Sequence, residues 1–216
     1  IIVHKVEVPA NRYDLLCLEG IATALRCYLG KQKLPTYKIV KPAKKAKMEQ
    51  VFVKASTKVV RPVVVSAILR NIKFDVQSYN SFIDLQDKLH MNICRRRTLC
   101  SMGTHDYDQI SGPITYEAHA PKDIKFKALK QAKEMDCVEL FKVLGEDQKL
   151  KKFLPIIADS PVYPVFYDAK RTVLSLPPII NSDATKISLD TKNVFIEITG
   201  TDLSKCQIVL AILCAQ

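Results

Sequence analysis

The chain has 216 residues, 48% of them apolar and 25% charged, and a formal net charge of +11, which is enough apolar material for a packed core in one large domain or two small ones. No apolar run is long enough to cross a bilayer, the longest candidates being Val63–Val65 and Ile208–Leu213; the opening Ile1-Ile2-Val3-His4-Lys5 also lacks the layout of a secretory signal. Seven cysteines at irregular spacing, none in a Cys-x-x-Cys pair, indicate neither a zinc ribbon nor a dithiol redox motif, and they suit buried thiols in a reducing compartment.

The positive charge has two readings. It fits an acidic partner such as nucleic acid or a membrane surface, and it fits plain solubility, because Lys41, Lys44, Lys45 and Lys47 fall in one polar stretch. The chain opens without Met and ends inside apolar sequence at Leu213-Cys214-Ala215-Gln216, as expected of a piece of a longer polypeptide.

In chain order, Ile2–Val8 reads as a strand broken by Pro9. Asp14 can cap a helix through Leu29, with Leu18, Ile21, Ala22, Leu25 and Leu29 at helical spacing and Gly30 as its stop. Residues 31–50 carry lysines and two prolines without apolar periodicity, so they read as a connector. This divides the chain into a strand–helix segment at 1–40, a lysine-rich linker at 41–50 and a main module at 51–216.

Within the main module, Val51–Lys54 and Lys58–Arg70 read as strands, with Pro62 at an edge or bulge. Tyr79–Ile93 is the clearest helix, with Phe82, Leu85, Leu89 and Ile93 on one face and Ser81 as its cap. Arg95-Arg96-Arg97 follows, placed either to complement the helix dipole or to meet RNA phosphate. Thr98–Met102 and Pro113–Ala118 read as strands, Lys122–Lys133 as irregular, and Asp136–Leu144 and Asp147–Phe153 as short helices. Val162–Tyr167, Val173–Leu176 and Val194–Ile198 read as strands, and Ser204 caps a final helix over Lys205–Leu213. Strands outnumber helices and several are adjacent, so the expected class is α+β with mixed, mostly antiparallel sheets and packed helices.

There is no glycine-rich phosphate loop and no serine nucleophile elbow. Of the four histidines, His105 stands out because Gly103-Thr104-His105-Asp106 follows a strand, and strand ends carry site residues. Pro177-Pro178 inside apolar sequence fixes a turn. Strand alternation puts Phe195, Glu197 and Thr199 on one face and Ile196 and Ile198 on the other. If Phe195 faces the core, Glu197 is buried and needs a purpose; if the isoleucines do, Glu197 is solvated. The pattern leaves both open.

Val6-Glu7-Val8-Pro9-Ala10-Asn11-Arg12-Tyr13-Asp14 with Glu19-Gly20-Ile21-Ala22 resembles a segment of phenylalanyl-tRNA synthetase beta subunits. The archaeal and eukaryotic cytosolic branch of that family is resembled by Asn92–Arg97, Gly103–Asp106, Ile124–Lys127, Leu176–Ser182 and Thr199–Asp202. The ordered similarity runs from about Lys5 to Leu210.

The resemblance implies a cytoplasmic heterotetramer of two alpha and two beta subunits acting on tRNA(Phe). ATP and Mg2+ would be used at sites outside this chain, with no cofactor and no metal expected in this segment. It also implies that the segment contains the editing module, which hydrolyses tyrosine mischarged onto that tRNA. By motif order Glu197 takes the place of a glutamate that accepts a hydrogen bond from the tyrosine hydroxyl. Pro177 and Pro178 form the preceding turn, with Asn181 at a following position that is glycine in bacteria; Leu174 and Ser175 are wall residues. His105 corresponds to a bacterial histidine near the scissile ester, and Thr199 matches a position implicated in the archaeal type; both are candidates for positioning the water and the ester. The alternative is a non-catalytic RNA-binding or scaffold module of the same enzyme.

Overall fold

The computed structural model describes residues 4–40 and 48–216. Lys41, Lys44, Lys45 and Lys47, and the first residues of the strand expected over Ile2–Val8, lie outside them. Residues 4–8 form no strand.

The first helix, α1, spans Leu18–Tyr28. It starts later than the sequence suggests, because Asp14 sits in a 3-10 turn over Tyr13–Leu15 and pairs with Arg12 at 2.6 Å instead of capping the helix. Its first turn packs on the main body: Cys17 lies in a core cluster with Leu85 and Leu213, and Ser81 donates to Glu19. Ser81 is therefore not the cap of the long helix α2, Val76–Met91. That helix starts a turn earlier, at a reciprocal cap in which Asp75 accepts from Ser78 N and Ser78 Oγ accepts from Asp75 N.

Two sheets carry the architecture. One is five-stranded, in the order β1 (Val51–Val53), β4 (Ile114–His119), β7 (Tyr163–Tyr167), β8 (Val173–Leu176) and β9 (Ile180–Asn181). Its first pair is parallel and the others antiparallel. The other is three-stranded and antiparallel, with β10 (Val194–Gly200) between β2 (Val63–Leu69) and β3 (Cys100–Asp106). A short ribbon of β5 (Lys125–Phe126) and β6 (Met135–Asp136) leads into helix α3, Cys137–Gly145, capped by Asp136. Helix α4, Leu203–Ala215, closes the chain; Asp202 caps it by accepting from Lys205 N at 3.0 Å, in place of the expected Ser204. The fold is α+β with mixed, mostly antiparallel sheets.

Three apolar clusters show how the layers stack. Leu85, Leu89, Cys206 and Val209 from α2 and α4 pack on Val194, Ile196 and Ile198 of β10. On the opposite face Phe195 meets Tyr116, Phe166 and Leu174 of the five-stranded sheet, where Tyr116 and Phe166 stack with centroids 4.5 Å apart. The far face of that sheet is covered by Leu140 and Leu144 of α3 and by Phe153. Strand β10 thus lies between helices and a second sheet, and all seven of its residues are buried. The choice posed by its alternation dissolves, because both faces are inside.

Gly200 marks how closely this stack is fitted. A Cβ there would meet Leu99 O and come within 2.7 Å of Cys206 Sγ and 3.1 Å of Cys100 Cβ. Gly200→Ala is expected to lower unfolding stability by about 1–3 kcal/mol, the usual range for overpacking. Chemical denaturation of the variant measures it, and an unchanged midpoint would contradict the close fit.

Candidate active site

The layer between the sheets is apolar at one end and polar at the other. Register places Phe195 opposite His105 and Ile68, Glu197 opposite Gly103 and Ser66, and Thr199 opposite Ser101 and Val64. These side chains share one face of the three-stranded sheet, turned toward β8.

Glu197 is 2% exposed. Its Oε1 accepts from Ser175 Oγ of β8 at 2.9 Å, and its Oε2 has no hydrogen-bond partner among the described residues. His105 Nε2 is 3.9 Å from Oε1, too far for a hydrogen bond, and is likewise unpartnered. The other ring nitrogen, Nδ1, lies 2.9 Å from Thr185 Oγ1, which fixes the ring plane. His105 is fully buried and within β3, not in a loop at the strand's end as its motif suggested.

Glycine at position 103 makes room for the acid: a Cβ there would collide with Glu197 Oε1 and come within 3.0 Å of Asn181 Oδ1. Asn181, at the end of β9, donates through Nδ2 to Thr104 O at 3.3 Å and so ties the hairpin to β3.

The structure therefore brings together Glu197, Ser175, His105 and Asn181. Thr199 lies in the same layer two residues along, but its hydroxyl accepts from Arg61 Nε at 2.9 Å and does not reach Glu197. Leu174 belongs to the apolar end of the layer. Pro177 and Pro178, joined by a cis peptide bond, form the β8–β9 turn that closes with Ile179 N donating to Leu176 O at 2.8 Å. Arg97 Nη1 donates to this turn, to Pro178 O at 3.1 Å and Ile179 O at 2.9 Å.

Arg61 and Thr185 were not singled out from sequence, Arg97 was read only as part of the arginine triplet at the end of the long helix, and Gly103 only as part of the motif around His105. Arg61 did leave a trace, as a lone charge at the head of the apolar run Val59–Leu69, and Gly103 carries a further one, as an isolated glycine in a strand, a mark of close approach.

The carboxylate is enclosed. The larger surface groove, about 440 Å³, is lined by Val6, Leu15, Leu25, Tyr28 and Leu34; a second, about 210 Å³, lies among Cys17, Phe74, Phe82 and Leu213. Glu197 lines neither of them and is 2% exposed, covered by the side chains of both sheets. Among the described residues no group of three or more His, Cys, Asp or Glu is arranged to hold a metal ion.

Residues 51–207 match the model of the B3/4 domain family, and residues 1–31 match that of the Phe-tRNA synthetase beta subunit B1 domain. The cytoplasmic phenylalanine–tRNA ligase beta subunit of Arabidopsis thaliana is 58% identical over 97% of this chain. This chain belongs to the phenylalanyl-tRNA synthetase beta-subunit family. The human phenylalanine–tRNA ligase beta subunit is 50% identical over 99% of the chain. A solved N-terminal fragment of the phenylalanyl-tRNA synthetase beta-subunit from Pyrococcus horikoshii superimposes with a TM-score of 0.85 at 37% identity, covering 95% of this chain and 57% of that one. The chain spans 35% of the Arabidopsis subunit's length and 36% of the human one's.

In this synthetase-family layer, burial is the largest influence on Glu197 and raises its carboxyl above the usual range; His105, Ser175 and Arg61 pull the other way. Because the folded carboxyl keeps its proton to higher pH than the unfolded one, near 4.5, its ionisation costs stability as pH rises from there. Glu197→Gln, which cannot ionise, is therefore expected to unfold at a higher temperature than the wild-type chain at about pH 7, with the gap closing toward about pH 4.5. Thermal unfolding across that window measures it; a gap independent of pH would mean that the folded carboxyl titrates as the unfolded one does and is not raised by burial.

Proposed function

We propose that this chain contains the editing module of a phenylalanine–tRNA ligase beta subunit, residues 51–216, joined through a linker at 41–50 to a segment at 1–40 from the neighbouring region. The module hydrolyses tyrosine mischarged onto tRNA(Phe). Its partners are that tRNA and the synthetase alpha subunit, in a cytoplasmic assembly of two alpha and two beta subunits.

One observation carries the reading: a buried carboxylate with an unpartnered oxygen stands beside a buried imidazole with an unpartnered nitrogen. An interior that leaves two such atoms unsatisfied spends stability on them. A phenolic hydroxyl supplies what Glu197 Oε2 lacks. With phenylalanine in the same place the oxygen stays unpaired, at a cost of about 1–3 kcal/mol. Editing requires that preference, because the synthetic site must separate two amino acids that differ by a single hydroxyl.

The hydrolytic step needs no covalent nucleophile. An aminoacyl ester is already activated, so a water held near its carbonyl by His105, with Thr199 aiding the developing oxyanion, suffices. Substrate entry requires the β8–β9 hairpin, which carries Ser175, Pro177, Pro178 and Asn181, to part from β3 and β10. The enclosure of Glu197 favours the competing view, that the module is an inert scaffold for RNA or for neighbouring domains.

Deacylation assays with the full synthetase separate the two. Glu197→Ala is expected to reduce the Tyr-tRNA over Phe-tRNA preference about tenfold to a hundredfold, and His105→Ala to slow hydrolysis of Tyr-tRNA. Wild-type rates in both variants would leave the scaffold. Gly103→Ala, which pushes the carboxylate aside, is expected to lose the same preference as Glu197→Ala; a Gly103→Ala enzyme that still favours the tyrosyl ester would show that the position of the acid is immaterial.

A further inference from the structure

Two arginines beside the site hold only neutral oxygens. Arg61 is 1% exposed. Its Nε donates to Thr199 Oγ1 at 2.9 Å, and its Nη2 donates to Thr199 O at 2.9 Å, Arg97 O at 3.1 Å and Ser101 Oγ at 3.2 Å. Its Nη1 faces Thr98 O at 3.4 Å. Arg97 is half-buried, with its guanidinium 4.1 Å from the centre of the Phe153 ring and Nη1 on the carbonyls of Pro178 and Ile179. Among the described residues neither lies within salt-bridge distance of a carboxylate. Burial lowers both from the ordinary guanidinium value, Arg97 to about 10.

A guanidinium taken from water without an anion is a costly way to join two elements when apolar side chains would serve. The connection between the two arginines is costly as well. Arg95, Arg96 and Arg97 follow one another in the left-handed region, with φ of 45°, 52° and 68°, a conformation that non-glycine residues adopt only at an energetic cost. That turn presents Arg97 O and Thr98 O to Arg61 and sends the Arg97 side chain to the β8–β9 turn. The series Arg61, left-handed turn, Arg97 therefore runs from Thr199 on β10 to Pro178 and Ile179. Those are the two sides between which Glu197 and Ser175 meet.

We propose that Arg61 and Arg97 are positioning residues for the Glu197 site, acting in series to hold Thr199 and the Pro177–Ile179 turn at the separation the tyrosyl ester requires. This rests on the editing reading. It also gives Arg97 a role within the fold and leaves only Arg95 and Arg96, both exposed, free to face an external anion.

The test uses the full synthetase, with kcat and KM for deacylation of Tyr-tRNA and Phe-tRNA measured for Arg97→Met and Arg97→Lys. Both variants keep the unbranched stem and the same left-handed backbone; only the lysine keeps a charged donor. Arg97→Met is expected to lower kcat for Tyr-tRNA about tenfold to a hundredfold, the scale of a displacement of about 1 Å. KM is expected to stay within about twofold, and Arg97→Lys to recover most of the loss. A raised KM with unchanged kcat would make Arg97 an RNA contact and overturn the proposal, as would equal losses in the two variants, which would mark a purely structural staple. Glu197→Ala is assayed alongside. If it abolishes the tyrosine preference while Arg97→Met matches wild type, the positioning role alone falls. If Glu197→Ala keeps the preference, the editing reading fails and takes this inference with it.

Discussion

A carboxylate set between two packed sheets constrains everything around it. Glu197 is on the middle strand of its sheet, with helices behind and a second sheet in front, and its side chain is closed off from water. The fold accommodates it by removing the side chain opposite, at Gly103, and by turning a serine hydroxyl toward it from the other sheet. It stops short of satisfying it. One oxygen remains without a donor, although a neighbouring imidazole nitrogen is also without a partner and stands only 3.9 Å from the other oxygen. A layer built solely for stability would have brought that pair into contact or filled the space with hydrocarbon.

The positive counterpart is equally unusual. Arg61 lies in the same layer, anchored to Thr199 two residues beyond Glu197 on the same strand, with its hydrogen bonds made to backbone and hydroxyl oxygens. Each charge moderates the other's burial across the layer, without contact. Separated in this way, both groups keep their hydrogen-bonding capacity for something other than each other. Direct pairing would have cancelled the charges and closed the space between them.

How much of this could be read from sequence depended on whether the cause was local. Strand β8 and the core of α2 follow from apolar spacing and emerged where expected. Helix starts were less legible, because several polar residues compete for one cap: Asp75 won over Ser81, and Asp202 over Ser204, when tertiary contacts decided which backbone amides were left open. Glu197, Ser175 and Asn181 were nominated through resemblance and do converge. His105 was nominated for a loop it does not occupy; the residues Gly103–Asp106 look like a turn in isolation, yet pairing with β10 draws them into strand. Arg61 could not be assigned at all, since its partners lie 36 to 138 positions away.

The order of strands along the chain has a consequence for synthesis. Strand β10 is the last of the described strands in chain order, yet it is the centre of its sheet, and β2 and β3 are joined through it. Until residues 194–200 emerge, both flanking strands wait with their inner edges unsatisfied, while the five-stranded sheet already has all of its members. Nascent chains of this design pass through a stage that is half assembled, with open hydrogen-bonding edges and an uncovered apolar face, the kind of species prone to aggregate or to be sheltered by chaperones. The ionisable groups of the layer stay wet through that stage. Their dehydration is deferred to the final docking step, when enough apolar surface closes at once to drive it.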